Sequence, residues 1–199
     1  RIRFYRKKKG LTIDQLAAAV CKSKSCVSKY EKGQIAVDLP TLYDLAAALG
    51  VRVTQLLYLP PEHIPGMPAG EVPAFFSGLS RFFYYYYDGR SNTVIHSVAD
   101  ILEEAAPGEF HIQMYMNVDD YDHYHLCENI YDGLLTHYSS LSMLVMQNQH
   151  MEMDHYQVGI PSPFMNAPVK WRLAFGTASR PQQPAPTPVL FANSPPMAT

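Results

Sequence analysis

The 199-residue sequence predicts an α+β protein in two parts, a small all-α segment followed by a separate antiparallel β-rich one. Three observations predict it. Up to residue 58, apolar residues recur at helical spacing between capping signals. From residue 75 onward the period changes to two. Between them, "LPPEHIPGMPAGEVPA" (59–74) carries five prolines and two glycines and no periodicity. It reads as a semi-rigid linker, with a loop packed on a domain as the alternative. The expected organisation is therefore 1–58, a linker over 59–74, and 75–199.

The first part divides into short helices. "IRFYRKKKG" (2–10) is basic and ends on Gly10, a helix stop. "TIDQLAAAV" (12–20) opens with Thr12 as N-cap and Gln15 three residues on, the reciprocal capping pattern. Its Ile13, Leu16, Ala17 and Val20 fall at helical spacing. "SKSCVSKYEKG" (23–33) is hydroxylated and basic, with Val27 and Tyr30 its only large apolar residues, and Gly33 closes it. "DLPTLYDLAAALG" (38–50) has Asp38 as cap, a proline in the first turn and Gly50 at its end. Leu42, Leu45, Ala46 and Leu49 form its buried stripe. "VTQLL" (53–57) is one last short helix.

The second part alternates. "RFFYYYYDGRSNTVIHSVADI" (81–101) is two extended runs around a hairpin signal. Phe82, Tyr84 and Tyr86 share one face of the first run, and Phe83, Tyr85 and Tyr87 the other, so both faces must be largely covered. One face builds core; the other builds core too, lines a small-molecule cavity or meets a second subunit. "EFHIQMYMNV" (109–118) places Phe110, Ile112, Met114, Met116 and Val118 together. Segments 133–149, 153–161, 169–175 and 189–192 continue the pattern. These make about eight or nine strands, mostly antiparallel, in an open sheet or partial barrel. "RPQQPAPTP" (180–188) is expected to be a loop or an edge, and "NSPPMAT" a loose tail. Met114, Met116, Met143, Met146, Met151 and Met153 are core filler first and pliable pocket lining second.

Totals exclude several classes. A hydrophobic content of 47% suffices for real cores. No apolar run reaches the ~18 residues that suggest a membrane span, so no membrane partner is expected. The basic N-terminus lacks the apolar segment of a secretory signal, and Arg1, in place of a start methionine, leaves room for residues upstream. Three unpatterned cysteines (Cys21, Cys26, Cys127) suit a reduced, cytoplasmic protein without a disulfide framework. The net charge of −2 conceals a split: residues 1–58 hold 11 Lys and Arg against 4 Asp and Glu, whereas residues 59–199 hold 5 against 14. That split predicts that only the first part meets a polyanion; chance clustering is the plainer alternative.

Two helices joined by a short turn, the second polar and basic, describe a helix-turn-helix. "LTIDQLAAAVCKSKSCVSKYEKG" and the later "LPTLYDLAAALGV" resemble the Cro/lambda-repressor-type helix-turn-helix regulators over residues 1–57. The resemblance is carried by the capped entry at Thr12, Leu16-Ala17, Ser23, Val27-Ser28, Glu31-x-Gly33 and "LAAALGV". It implies a five-helix domain whose recognition helix lies in the major groove of double-stranded DNA. That helix would start near Ser23, with Lys24, Ser25, Ser28 and Lys29 outward and Val27 and Tyr30 inward. Lysine donates to guanine O6 and N7, and serine pairs with either kind of base edge. Lys32 and Gln34, past the helix end, suit phosphate, and Lys22 in the turn completes the candidate DNA-binding set. A solvated basic helix is the alternative.

The resemblance also implies a structural ion pair between Arg6 and Glu31. It breaks at three places. Cys21 stands where the family usually has a turn glycine, so it must take a left-handed or altered turn. Lys22 stands at a usually apolar position. Ile13 replaces a glutamine that in many members buttresses base contacts.

One cluster, "DDYDHYHLCENIYDG" (119–133), invites a metal reading, because His123 and His125 would share a face of a strand near Glu128. The spacing fails that of cupin barrels, so surface or loop histidines are expected and no metal site. No Gly-rich phosphate loop, nucleophile elbow, paired catalytic acids or clean Cys–His pair stands out. No catalytic residues and no cofactor are expected. The expected function is a sequence-specific DNA-binding transcriptional regulator, a repressor of bacterial or phage type. It would act as a homodimer on paired half-sites, with a small-molecule effector possible in the β-rich part. The alternatives are an antitoxin-type protein-binding module that regulates its own promoter, and an enzyme with a DNA-binding appendage.

Overall fold

A computed structural model describes residues 1–59, 72–89, 91–162, 169–179 and 187–195. The chain divides into two compact units, Arg1–Pro60 and Pro61–Thr199.

The first unit is helical: α1 (Ile2–Lys8), α2 (Ile13–Ala19), α3 (Lys24–Glu31), α4 (Leu39–Leu49) and α5 (Val53–Leu57). Its boundaries follow the capping residues. Thr12 Oγ1 accepts from the Gln15 amide at 3.1 Å while Gln15 Oε1 accepts from the Thr12 amide at 2.8 Å. Asp38 Oδ1 accepts from the Thr41 amide at 2.8 Å, and Gly50 ends α4 in the left-handed conformation that a side chain resists. Tyr5, Leu16, Ala17, Val20, Val27, Leu45 and Leu49 pack into one core, so α2 to α4 bury apolar stripes that their periodicity predicts, whereas α5 has no buried residue and only packs Leu56 against that core.

The second unit is a closed antiparallel barrel of eight strands in sequence order: β1 (Arg81–Asp88), β2 (Thr93–Ala106), β3 (Glu109–Met116), β4 (Asn129–His137), β5 (Leu141–Asn148), β6 (His155–Pro161), β7 (Trp171–Ser179) and β8 (Thr187–Ala192). The sequence predicts an open sheet or partial barrel; closure comes from pairing of β1 with β8, from Phe83 opposite Ala192 to Tyr86 opposite Val189. β8 is longer than expected, because Thr187 and Pro188 belong to it rather than to a loop, with Pro188 opposite Phe175. Residues 180–186 and 196–199 lie outside the described residues. So do 60–71, most of the expected linker, but Val72 just beyond them is buried with Phe75 and Phe76 in the barrel core.

Inward side chains include Phe82 and Tyr84 of β1, Ala99 and Ile101 of β2, Phe110, Ile112, Met114 and Met116 of β3, and Tyr131 and Leu135 of β4. Leu144, Met146, Tyr156, Val158, Ala174, Val189 and Phe191 complete the ring. Gly133 is required where β4 approaches β5, since a Cβ there would lie 2.1 Å from the Val145 carbonyl oxygen. Met151 and Met153 are exposed, 51% and 72%, and are not core filler: both lie in the β5–β6 connection.

Part of the outer face of β1–β3 is covered as well, which accounts for the aromatic run over Phe83 and Tyr85, whereas Tyr87 at its end stays 54% exposed. The segment after β3 folds back over it. Tyr121 packs on Phe83 with ring centroids 5.6 Å apart, and its hydroxyl lies 2.8 Å from His96 Nδ1. Tyr124 packs edge-on against Tyr115 and donates to Asp100 Oδ2 at 2.7 Å. Asp100, fully buried, also binds Arg81 Nε at 2.6 Å.

Candidate nucleic-acid interface

The α2–α3 pair is positioned by its turn. Cys21 has φ of 51°, the left-handed conformation expected of the residue that stands in for the usual turn glycine. Its neighbour Lys22 is exposed, with Nζ 4.0 Å from Asp38 Oδ2. Ser23 caps α3, its Oγ accepting from the Cys26 amide at 3.2 Å, and lies 3.1 Å from Ser25 Oγ. The Ser23 oxygen is thus already engaged in holding the helix start.

At about 100° per residue, Lys24, Ser28, Lys32, Ser25 and Lys29 occupy an arc of roughly 140°, and Cys26, Tyr30, Val27 and Glu31 fill the rest. Burial agrees with that wheel. Val27 and Tyr30 are buried, Ser28 is half-buried, and Lys24, Ser25, Lys29 and Lys32 are exposed. Gln34 is exposed beyond the helix, its amide donating to the Lys29 carbonyl at 2.9 Å. Lys24, Ser25, Ser28, Lys29 and Lys32 therefore share one face, while Lys22 and Ser23 precede α3 and Gln34 follows it, all three exposed.

Arg6 and Glu31 form the expected pair. Arg6 Nε meets Glu31 Oε1 at 2.5 Å and Nη2 meets Oε2 at 3.0 Å, while Nη1 donates to the Leu11 carbonyl at 2.8 Å. Both side chains are buried, at 10% and 4% exposure. The hydrogen bonds that Arg6 donates to the Glu31 carboxylate hold the guanidinium pKa above its ordinary value. This fork ties α1 to the end of α3.

One participant was not singled out in the sequence. Lys24 Nζ is bound by Asp14 Oδ2 at 2.7 Å, both side chains being well exposed. The two are ten residues apart across a turn, so only the angle between α2 and α3 brings them together. To reach a base or phosphate, Lys24 must exchange that carboxylate for the new partner. Asp38, the cap of α4, has its pKa lowered chiefly by the Thr41 amide hydrogen bond.

The histidine cluster does not form a strand. His123 lies in a turn, with Nδ1 2.7 Å from Asp120 Oδ2. Among the described residues no three His, Cys, Asp or Glu side chains converge as metal ligands. Also among them, no helix is long and apolar enough to cross a membrane.

Residues 2–56 match a family model described as Helix-turn-helix. The N-terminal unit is thus a helix-turn-helix segment, and the match supports a DNA-binding regulator in the general sense. No curated protein and no solved structure matches the chain.

Proposed function

We propose that this chain is a sequence-specific transcriptional regulator that lays α3 in the major groove and acts as a homodimer, its barrel serving oligomerisation and effector sensing. The observation that carries the reading is the single surface of Lys24, Ser25, Ser28, Lys29 and Lys32 on a helix fastened from behind by Arg6–Glu31. Small hydroxyls let the helix approach the groove floor, and the ammoniums serve bases and phosphates. The charge surplus of residues 1–58 supports the same partner. For an effector, the supporting feature is an open depression lined by Glu104, Ala106, Pro107, Gly108 and His137. The barrel interior is occupied by its own side chains. The reading gives the chain no catalytic role and places it in the cytoplasm.

The test selects bound duplexes from genomic fragments with the full chain, then measures affinity against salt. Lys24→Ala is expected to cost about 1–3 kcal/mol on the selected site and to relax base preference. Lys32→Ala should weaken all duplexes alike and lower the salt slope by about one unit. Equal losses on every sequence from both variants would refute the assigned roles.

A further inference from the structure

The strands β5 to β8 differ from the rest of the barrel on their outer face. The outward positions are Leu141, Met143, Val145 and Gln147 on β5 and His155, Gln157, Gly159 and Pro161 on β6. They continue as Trp171, Leu173, Phe175 and Thr177 on β7, then Pro188, Leu190 and Ala192 on β8. Among these described positions there is no Asp, Glu, Lys or Arg, although residues 59–199 carry 14 carboxylates. Trp171, Leu173 and Phe175 are 59%, 61% and 67% exposed, a bare row at every second residue of one strand. The contrast is with the part of the outer face of β1–β3 around Phe83 and Tyr115, which Tyr121 and Tyr124 cover.

We infer that this face of β5–β8 is where a second copy of the chain docks. Area supports it. The three β7 side chains alone leave roughly 350–400 Å² uncovered, given the size of large side chains. That is near half of the ~800 Å² per partner of a standard interface. Val145, Pro161, Pro188 and Leu190 extend the same surface. Charge supports it too. Two acidic bodies repel wherever carboxylates meet, and here none stands on the outward positions. A two-fold axis at Leu173 would set Leu173 against Leu173 and Trp171 against Phe175, a self-complementary arrangement. The inference deepens the regulator reading, since it supplies the pairing that two half-sites require.

Sedimentation velocity on the full chain at tens of micromolar tests it. The expected result is a dimer. Leu173→Arg and Phe175→Asp, both at exposed positions outside the packed interior, should each weaken it at least about 100-fold, the first by placing like charges across the axis and the second by setting an unpaired carboxylate against the facing Trp171. His111→Arg, exposed on the outer side of β3, should leave the dimer intact. Near-UV circular dichroism identifies a variant whose barrel remains folded. A monomeric wild-type chain, or a dimer indifferent to a folded variant at either position, overturns the inference. So does a monomer that co-sediments with lipid vesicles. Failure here reads differently from failure of the regulator reading: in the first case the monomer keeps salt-dependent duplex binding, and in the second the dimer persists and binds no duplex.

Discussion

At the level of single residues, the turn between α2 and α3 concentrates the strain of the first unit. Cys21 adopts φ of 51° with a Cβ that conflicts with this conformation. Cys21→Gly should therefore raise the stability of the helical unit by about 0.5–1 kcal/mol, the strain relieved less the extra freedom glycine gives the unfolded chain. Urea unfolding followed by the far-UV helical signal measures it, and no gain would mean that the turn carries no strain. That turn was readable by resemblance, because the similar regulators usually carry a glycine where Cys21 stands. The fork of Arg6 and Glu31 was readable by resemblance, as its partners sit 25 residues apart. The Asp14–Lys24 contact was not. A surface ion pair leaves no periodic trace, and many opposite charges sit ten residues apart without meeting.

At the level of elements, the helices were legible almost to their ends because capping chemistry is local: Thr12, Ser23, Asp38 and Gly50 each mark a boundary with their own side chain or backbone. Strand existence was legible from alternation, but closure was not. It depends on β1 meeting β8 across about 100 residues, and on Pro188 lying in a strand its chemistry disfavours. The covering of β1–β3 was likewise invisible, since Tyr121 and Tyr124 sit in an irregular segment. At the barrel end, His137 on β4 binds Ser142 Oγ through Nδ1 at 2.8 Å and packs on Phe76 and Phe110. Its Nε2 is buried without a partner. Burial pushes its pKa down to about 4, against ~6.5 in the unfolded chain. Between those values only the unfolded state takes the proton, so acidification from about pH 6.5 to 4 should destabilise the barrel, with no further loss from this group below pH 4. Denaturant titrations by near-UV circular dichroism at several pH values check this. His137→Phe should flatten the slope, and an unchanged slope would assign the pH dependence to other groups.

For the whole molecule, two compact units of opposite charge predict separable behaviour. Glu31→Ala strands the buried Arg6 guanidinium, which should cost the helical unit about 3 kcal/mol. The far-UV helical transition should move to lower urea, while the near-UV transition, dominated by buried Tyr84, Tyr115 and Tyr131, stays in place. A joint shift of both transitions would show that the units unfold together. The seam between β1 and β8 bears on synthesis. A ribosome releases residues 1–57 early, and their short-range contacts let the helices assemble while translation continues. The barrel has no such option. Its first strand waits, one edge bare, until residues 187–192 have left the exit tunnel, so a product stopped before them carries two unsealed edges that invite aggregation.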